Sequence, residues 1–205
     1  MKIFITGTDT NVGKTLICSW IALHTGFSYF KPIQTGTSDD GADSFEVQKL
    51  SDAKIYPEIY AYKEPLSPHL AAKIENEAID IEKIVLPKEN NLIIEGAGGV
   101  LVPINDTYLM IDLIKKLGAS VILVTRTTLG TINHTLLSLE ALRKRNIQVA
   151  GVIMNGKQNS QNSNAIEFYG QTSIIAEFPK LEIINKNALQ NVILPEKLKQ
   201  ILEVE

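Results

Sequence analysis

Nine residues near the start of the chain, Gly7-Thr8-Asp9-Thr10-Asn11-Val12-Gly13-Lys14-Thr15, constrain its fold more than any other stretch. One apolar run, Ile3-Phe4-Ile5, leads into them, and another, Leu16 to Leu23, leads away. Strand, glycine-bearing turn and helix start in that order form the setting in which backbone N–H groups cradle a phosphate. The first N–H groups of a helix have no intrahelical acceptor, and the helix dipole adds partial positive charge there. A triphosphate satisfies both, with Lys14 reaching the β- and γ-phosphates and the Thr15 hydroxyl taking one site on a magnesium ion. The spacing departs from the general glycine-x4-Gly-Lys-Ser/Thr pattern, because Gly7 lies one residue early and Thr8 stands in the first glycine's place.

The rest of the chain fits one α/β domain over residues 1–205. Hydrophobic residues make up 44% of the sequence, enough for a sizeable core, and the formal charge is −3. Mild acidity with dispersed cations argues against a nucleic-acid surface. The one basic cluster, Arg143-Lys144-Arg145, falls at an expected helix end, where cations complement the dipole. Cys18 is the single cysteine, so no disulfide framework exists, and its apolar surroundings give it the role of a small core residue. No signal-peptide pattern opens the chain and no apolar run approaches a membrane span, so a cytoplasmic protein without membrane partners is expected.

Strand-like and helix-like apolar segments alternate, the pattern of a doubly wound, mostly parallel sheet with helices on both faces. Strands are expected over 2–6, 27–30, 91–95, 121–125, 149–154 and 173–176. Helices are expected over 14–24, from about Asp43, over 79–86, along the Ile132, Leu136, Leu139, Leu142 face, and over 195–202. The first helix is apolar almost all round and should be deeply buried. The stretch 34–87 is irregular, with a polar loop over 35–41 and a proline-bearing connection, Glu64-Pro65-Leu66-Ser67-Pro68-His69.

In open parallel sheets ligands bind beyond the carboxyl ends of the strands. Those exits carry the loop 7–15, Lys31, Glu95-Gly96, Thr125-Arg126 and Asn155. Glu95 facing a phosphate loop suits a magnesium ligand, since Mg²⁺ is held by one or two carboxylates together with phosphates and waters. Asp43 reads equally as a second carboxylate or as a helix N-cap. Lys31 precedes Pro32 and is therefore biased to an extended conformation at its strand exit. A second lysine beside Lys14 makes sense where anionic charge builds beyond the γ-phosphate. His24, His69 and His134 share no metal-ligand spacing, so no transition metal is assigned.

Together these motifs resemble the dethiobiotin synthetase family. The resemblance rests on residues 7–15, Lys31-Pro32 with Thr35-Gly36, Asp43, Glu64-Pro65 with Ser67-Pro68-His69, Glu95-Gly96-Ala97-Gly98-Gly99, and Leu129-Gly130-Thr131-Ile132-Asn133-His134. It implies ring closure of 7,8-diaminopelargonate with CO₂ (or bicarbonate) and ATP through a carbamate and its mixed anhydride with phosphate. By resemblance Lys14, Lys31 and Thr10 are catalytic, and Thr15, Asp43 and Glu95 hold Mg²⁺. The nucleotide falls to Asn11, Val12, Gly13, Lys14, Thr15, Asp43, Glu95, Gly96, Ala97, Gly98, Asn155, Phe178 and Pro179. The diamine falls to Thr10, Lys31 and Thr35, with its carboxylate at the helix start Leu129, Gly130, Ile132, Asn133 supplied by the second subunit of a homodimer. Two departures stand out: Asn11 occupies a position where relatives often carry an acid, and Asn155-Gly156-Lys157 is only part of a purine-reading motif. Loose base selectivity is expected.

Two other classes share such loops. A partition or septum-site ATPase has a signature lysine early in the loop, where this chain has Asp9, and its aspartate-based switch does not match Glu95-Gly96-Ala97-Gly98. A glutamine-dependent amidoligase carries a glutaminase domain, for which 205 residues leave no room.

Overall fold

The computed structural model describes residues 1–37 and 42–204. Residues 38–41 of the expected polar loop lie outside the described residues. Nine strands and eight helices are described: β1 (Lys2–Gly7), α1 (Lys14–Thr25), β2 (Ser28–Phe30), β3 (Ile33–Thr35), α2 (Asp43–Ser51), β4 (Ile55–Tyr56), β5 (Tyr60–Tyr62), α3 (Pro68–Ile74), β6 (Leu92–Gly99), α4 (Met110–Leu117), β7 (Ser120–Arg126), α5 (Thr131–Lys144), β8 (Val149–Asn155), α6 (Ser160–Gly170), β9 (Ile174–Phe178), α7 (Lys186–Gln190) and α8 (Glu196–Leu202). Seven strands form a parallel sheet in the order β4-β2-β6-β1-β7-β8-β9, and β3 pairs with β5 in a separate parallel pair.

The chain leaves β1, skips a place to form β2, and later fills the gap with β6 while β7 joins the other side. Connections therefore diverge around β1, and their divergence opens a crevice above its carboxyl end. Alternation along the strands sorts the core into two layers. Ile3, Ile5, Tyr29, Ile93, Ile122 and Val124 pack beneath α1, α2, α7 and α8. Phe4, Phe30, Ile94, Leu123 and Met154 pack beneath α3 to α6. That two-sided burial is why the strands read as near-continuous apolar runs.

The structure corrects the sequence reading in several places. No helix spans 79–86; only a single 3-10 turn forms, Ile81–Lys83, because Asp80 caps the N–H of Glu82 and the apolar residues Ile79, Ile81 and Ile84 anchor the segment irregularly to the core. The proline-bearing connection gives rise to α3, with Pro68 at its first turn, where a missing N–H costs nothing. Helices α4, α6 and α7 were not foreseen. Asp43 is not an N-cap: it is the first residue of α2, its N–H is taken by Gln34 Oε1 at 3.2 Å, and its carboxylate accepts from Lys31. Pro195 is the residue capping α8 and not its first-turn residue. Helix α1 is buried on the side of Ile17, Cys18, Trp20 and Ile21, while Leu16 and Leu23 are only half-buried. Among the described residues no helix is long and apolar enough to cross a membrane.

Candidate active site

Gly13, in the left-handed region at φ 94°, turns the chain from the loop into α1. A Cβ there would overlap the side-chain amide of Asn155, so only glycine lets β8 press against the loop. Asn155 uses that amide to donate to the Val12 carbonyl at 2.9 Å. Asn11 also lies in the left-handed region, at φ 56°, which asparagine tolerates better than most residues. The first backbone bond of α1 runs from Ile17 N–H to Gly13 O, at 3.0 Å. The N–H groups before it, at the start of α1, are those a helix leaves unpaired.

Three elements deliver the charged groups beside this loop. Strand β6 runs parallel to β1 in register as far as Ile5 opposite Glu95, after which Gly7 pairs with Gly99. Between those pairs one residue on β1, Thr6, faces three on β6, Gly96-Ala97-Gly98, which form a bulge directly after Glu95. Tyr29 on β2 pairs with Ile93 on β6, so the period-two alternation puts Tyr29, Lys31, Ile93 and Glu95 on the α1 side of the sheet. The third element, α2, begins at Asp43.

These side chains form one connected network. Lys31 Nζ donates to Glu95 Oε1 at 2.9 Å and to Asp43 Oδ2. Thr15 Oγ1 donates to the same Glu95 Oε1 at 3.0 Å, and the Tyr29 hydroxyl to Oε2 at 2.9 Å. Glu95 is 1% exposed and Lys31 4%. Burial by itself would push the Lys31 amine down, but the Glu95 and Asp43 carboxylates outweigh it and hold the ammonium well above the ordinary lysine range. Burial likewise opposes ionisation of Asp43, yet Lys31 keeps its carboxyl below the usual value. Lys14 differs. It is buried, its Nζ donates to the Asp9 carbonyl at 3.3 Å, and burial with the nearby Lys31 charge lowers its pKa. Asp9 itself is gripped by Arg126 at 2.6 Å. Burial, then Glu95, pushes the Cys18 thiol up, as expected of an inert core cysteine.

A cleft of about 700 Å³ opens over the network. Among the described residues its floor is Thr10, Asn11, Gly13, Lys14 and Thr15, with Lys31, Asp43 and Glu95 on one flank and Ala97 and Gly98 beyond them. Thr35 and Gly36 face Pro65-Leu66-Ser67-Pro68 across its mouth. The short β3–β5 pair builds that mouth: Gly36 N–H bonds Glu64 O at 3.0 Å and Thr37 N–H bonds Tyr62 O at 3.2 Å.

The remaining candidates lie elsewhere. Val12 is buried beneath the loop, and Gly96 lies where a Cβ would meet the Phe4 ring at 2.9 Å. Phe178 is fully buried with its ring against Trp20, centroids 5.0 Å apart, and only its carbonyl reaches outward, to Gly156 N–H. Pro179 is exposed. Leu129, Gly130, Ile132 and Asn133 begin α5, outside this cleft, with Leu129 fully solvent-exposed. His69 sits at the start of α3 with Nδ1 3.1 Å from Ser67 Oγ. Reading the sequence missed Tyr29, Gln34, Arg126 as the partner of Asp9, and the wall residues Gly36, Leu66 and Val102. Only Tyr29 carried a usable signal, its spacing of two residues from Lys31.

The donors converging near Thr15 are one hydroxyl and two carboxylates, an all-oxygen set suited to a hard cation such as Mg²⁺ and unsuited to softer transition metals.

The family model described as an AAA domain matches residues 1–188. Solved structures of a ParA-family ATPase from Chlorobium tepidum (TM-score 0.56, 14% identity, 98% of this chain and 96% of that one) and of the septum site-determining protein MinD from Pyrococcus horikoshii (TM-score 0.54, 17% identity, 98% and 92%) share the fold. At such identities they speak to fold alone. In sequence the chain is 44% identical to the biotin biosynthesis bifunctional protein BioCD of Bordetella avium, over 91% of this chain and 41% of that protein. It is 42% identical to the ATP-dependent dethiobiotin synthetase of Neorickettsia sennetsu, over 99% of this chain and 96% of the other. Against the ATP-dependent dethiobiotin synthetase of Lawsonia intracellularis the figure is 57%, with both chains covered completely. With a cleft built from a phosphate loop and a second buried lysine, and with relatives this close over its full length, the chain belongs to the dethiobiotin synthetase family.

Proposed function

We propose that this protein closes the ureido ring of dethiobiotin from 7,8-diaminopelargonate, CO₂ and ATP. The observation that carries this reading is Lys31, a buried ammonium clamped by Glu95 and Asp43 in the same cleft as Lys14. The rival ATPases draw their lysines from the loop itself, whereas phosphorylating a bound carbamate gathers negative charge on both sides of the transferred phosphoryl group, beyond the loop as well as within it. Two fixed cations, one on each side, answer that demand.

One amine of the diamine adds to CO₂ and loses a proton, giving the carbamate. A carbamate oxygen attacks the γ-phosphorus, and ADP leaves. The neighbouring amine then attacks the carbamoyl carbon, expels phosphate and closes the ring. Lys14, whose Nζ bonds the Asp9 carbonyl and no carboxylate, is available to pair with the terminal phosphates. Lys31 stays protonated throughout and lies beyond the loop, beside the position of the carbamate. The Thr10 and Thr35 hydroxyls offer uncharged contacts to the diamine, which a carboxylate would hold as an unreactive ammonium. Thr15, Asp43 and Glu95 would hold Mg²⁺, which when bound offsets charge on the β- and γ-phosphates.

The start of α5 supports a shared site. The Ile132 and Asn133 N–H groups, beside exposed Leu129, lie outside this chain's own cleft and suit the diamine's carboxylate in a partner's cleft. Following the family resemblance, in which this segment comes from the partner subunit, we propose a homodimer.

The test is phosphate release from MgATP with diamine and bicarbonate supplied separately and together, with mass spectrometry of the product. One phosphate per dethiobiotin, released only with both present, is the expected result. Hydrolysis indifferent to the diamine would overturn the reading in favour of a switch ATPase.

A further inference from the structure

We infer that Tyr29 is a positioning residue for Glu95: its hydroxyl holds Oε2 and so, with Thr15 and Lys31 on Oε1, fixes how the carboxylate meets the cation site. The inference deepens the metal reading of Glu95 proposed above and rests on it. Oε2 accepts from Tyr29 at 2.9 Å, while Oε1 accepts from Thr15 at 3.0 Å and from Lys31 at 2.9 Å. The carboxylate has no other freedom, being 1% exposed, and the Tyr29 ring is wholly buried between β2 and α1. The phenol is placed by strand geometry alone, since Tyr29 pairs with Ile93 and shares its face with Glu95 two residues on.

The consequence is chemical. A carboxylate held by fixed donors on both oxygens cannot turn both toward one cation, so it serves as a one-oxygen ligand. Mg²⁺ takes monodentate carboxylates in a strict octahedron, whereas Ca²⁺ accepts bidentate ones in a looser shell. Tyr29 thus favours the smaller cation and fixes the rotamer that presents Oε1 to Thr15. Outer-shell hydrogen bonds of this kind are typically worth about 10–100-fold in metal affinity.

The test compares wild type, Tyr29→Phe and Glu95→Gln loaded with ADP. Mg²⁺ and Ca²⁺ binding are measured by titration calorimetry, and the diamine KM separately. In Tyr29→Phe, Mg²⁺ affinity should fall roughly tenfold or more and the Mg²⁺ to Ca²⁺ preference should shrink, with the diamine KM unchanged. Unchanged Mg²⁺ binding in Tyr29→Phe, alongside weakened binding in Glu95→Gln, would leave Glu95 a ligand and reduce Tyr29 to a packing residue. Unchanged binding in both would overturn the metal reading of Glu95 itself. A second readout needs no change at Tyr29, should Tyr29→Phe fold poorly. In protein labelled with ¹³C at the tyrosine ζ carbon, the Tyr29 signal, identified by its displacement in Glu95→Gln, should move when Mg²⁺ joins the ADP complex. No movement would overturn the inference.

Discussion

Lys31 joins a structural role, the clamp on Glu95 and Asp43, to the electrostatic role proposed for it. Its ammonium neutralises Glu95 and half-buried Asp43, so removing it strands charge in the interior. Lys31→Met should cost about 3–5 kcal/mol of stability, as breaking a buried ion pair does, and lower kcat by roughly 10²–10³, as losing a fixed electrostatic donor does. Urea melts and initial rates measure the two effects independently. A variant that kept its stability would show that Glu95 finds another partner. Lys31 was marked from its place before Pro32 at a strand exit. Its clamp by Asp43 and Glu95 was invisible in a sequence that separates them by 12 and 64 residues.

At the scale of elements, α1 serves the site through its N-terminus and the fold through its flank. Trp20 Nε1 donates to Val192 O at 2.6 Å and its ring packs on Phe178, tying the phosphate-binding helix to β9 and the C-terminal segment. Trp20→Ala should cost about 3–5 kcal/mol, visible as a shift of the thermal midpoint. The end of β8 works similarly: Asn155 spends its amide on the Val12 carbonyl, and Phe178 is sealed in the core. Neither side chain is arranged here to read a purine edge, so kcat/KM for ATP should exceed that for GTP and CTP by less than a hundredfold. Steady-state rates with the three nucleotides check this. Arg143, expected at a helix end and exposed in the last turn of α5, also donates to the Gly170 and Gln171 carbonyls at the end of α6. No local pattern announces such a contact, because its partner is chosen by the packing of α5 on α6.

For the whole molecule, the linked ionisations predict how stability follows pH. Asp43 titrates below its ordinary 3.8, so the unfolded chain binds its proton first; the stabilisation is complete above about that pH and is lost as pH falls through the native value. Lys31 titrates above its ordinary 10.5, so its contribution is complete below that pH and is lost as pH rises through the native value. Lys14 works against this on the alkaline side, because its lowered pKa makes stability rise with pH up to 10.5. The acid flank is the clean test: urea midpoints should fall below about pH 4, and less steeply in Lys31→Met. The proposed dimer has its own test. Leu129→Asp places an anion beside the helix start assigned to the diamine's carboxylate. It should raise the diamine KM tenfold or more and weaken self-association, leaving ATP affinity unchanged; sedimentation and saturation kinetics measure both.

What the sequence determined by itself was set by short-range physics. Strand, turn and helix around Gly13 follow from apolar runs and one left-handed glycine. The parallel sheet follows from alternating segments buried on both faces, and the strand exits follow from that sheet. Where the local pattern is weak the reading failed: 79–86 looked helical from composition but yields a single 3-10 turn, and three-residue strands such as β3 and β5 have no period to detect. Only the tertiary structure decided which groups meet. It made Gln34 cap α2, paired Asp43 with Lys31, brought Tyr29 to Glu95, and set the Pro65–Pro68 segment against Thr35 at the mouth of the cleft. Those contacts depend on strand order and register, which long-range packing selects and which no window along the chain contains.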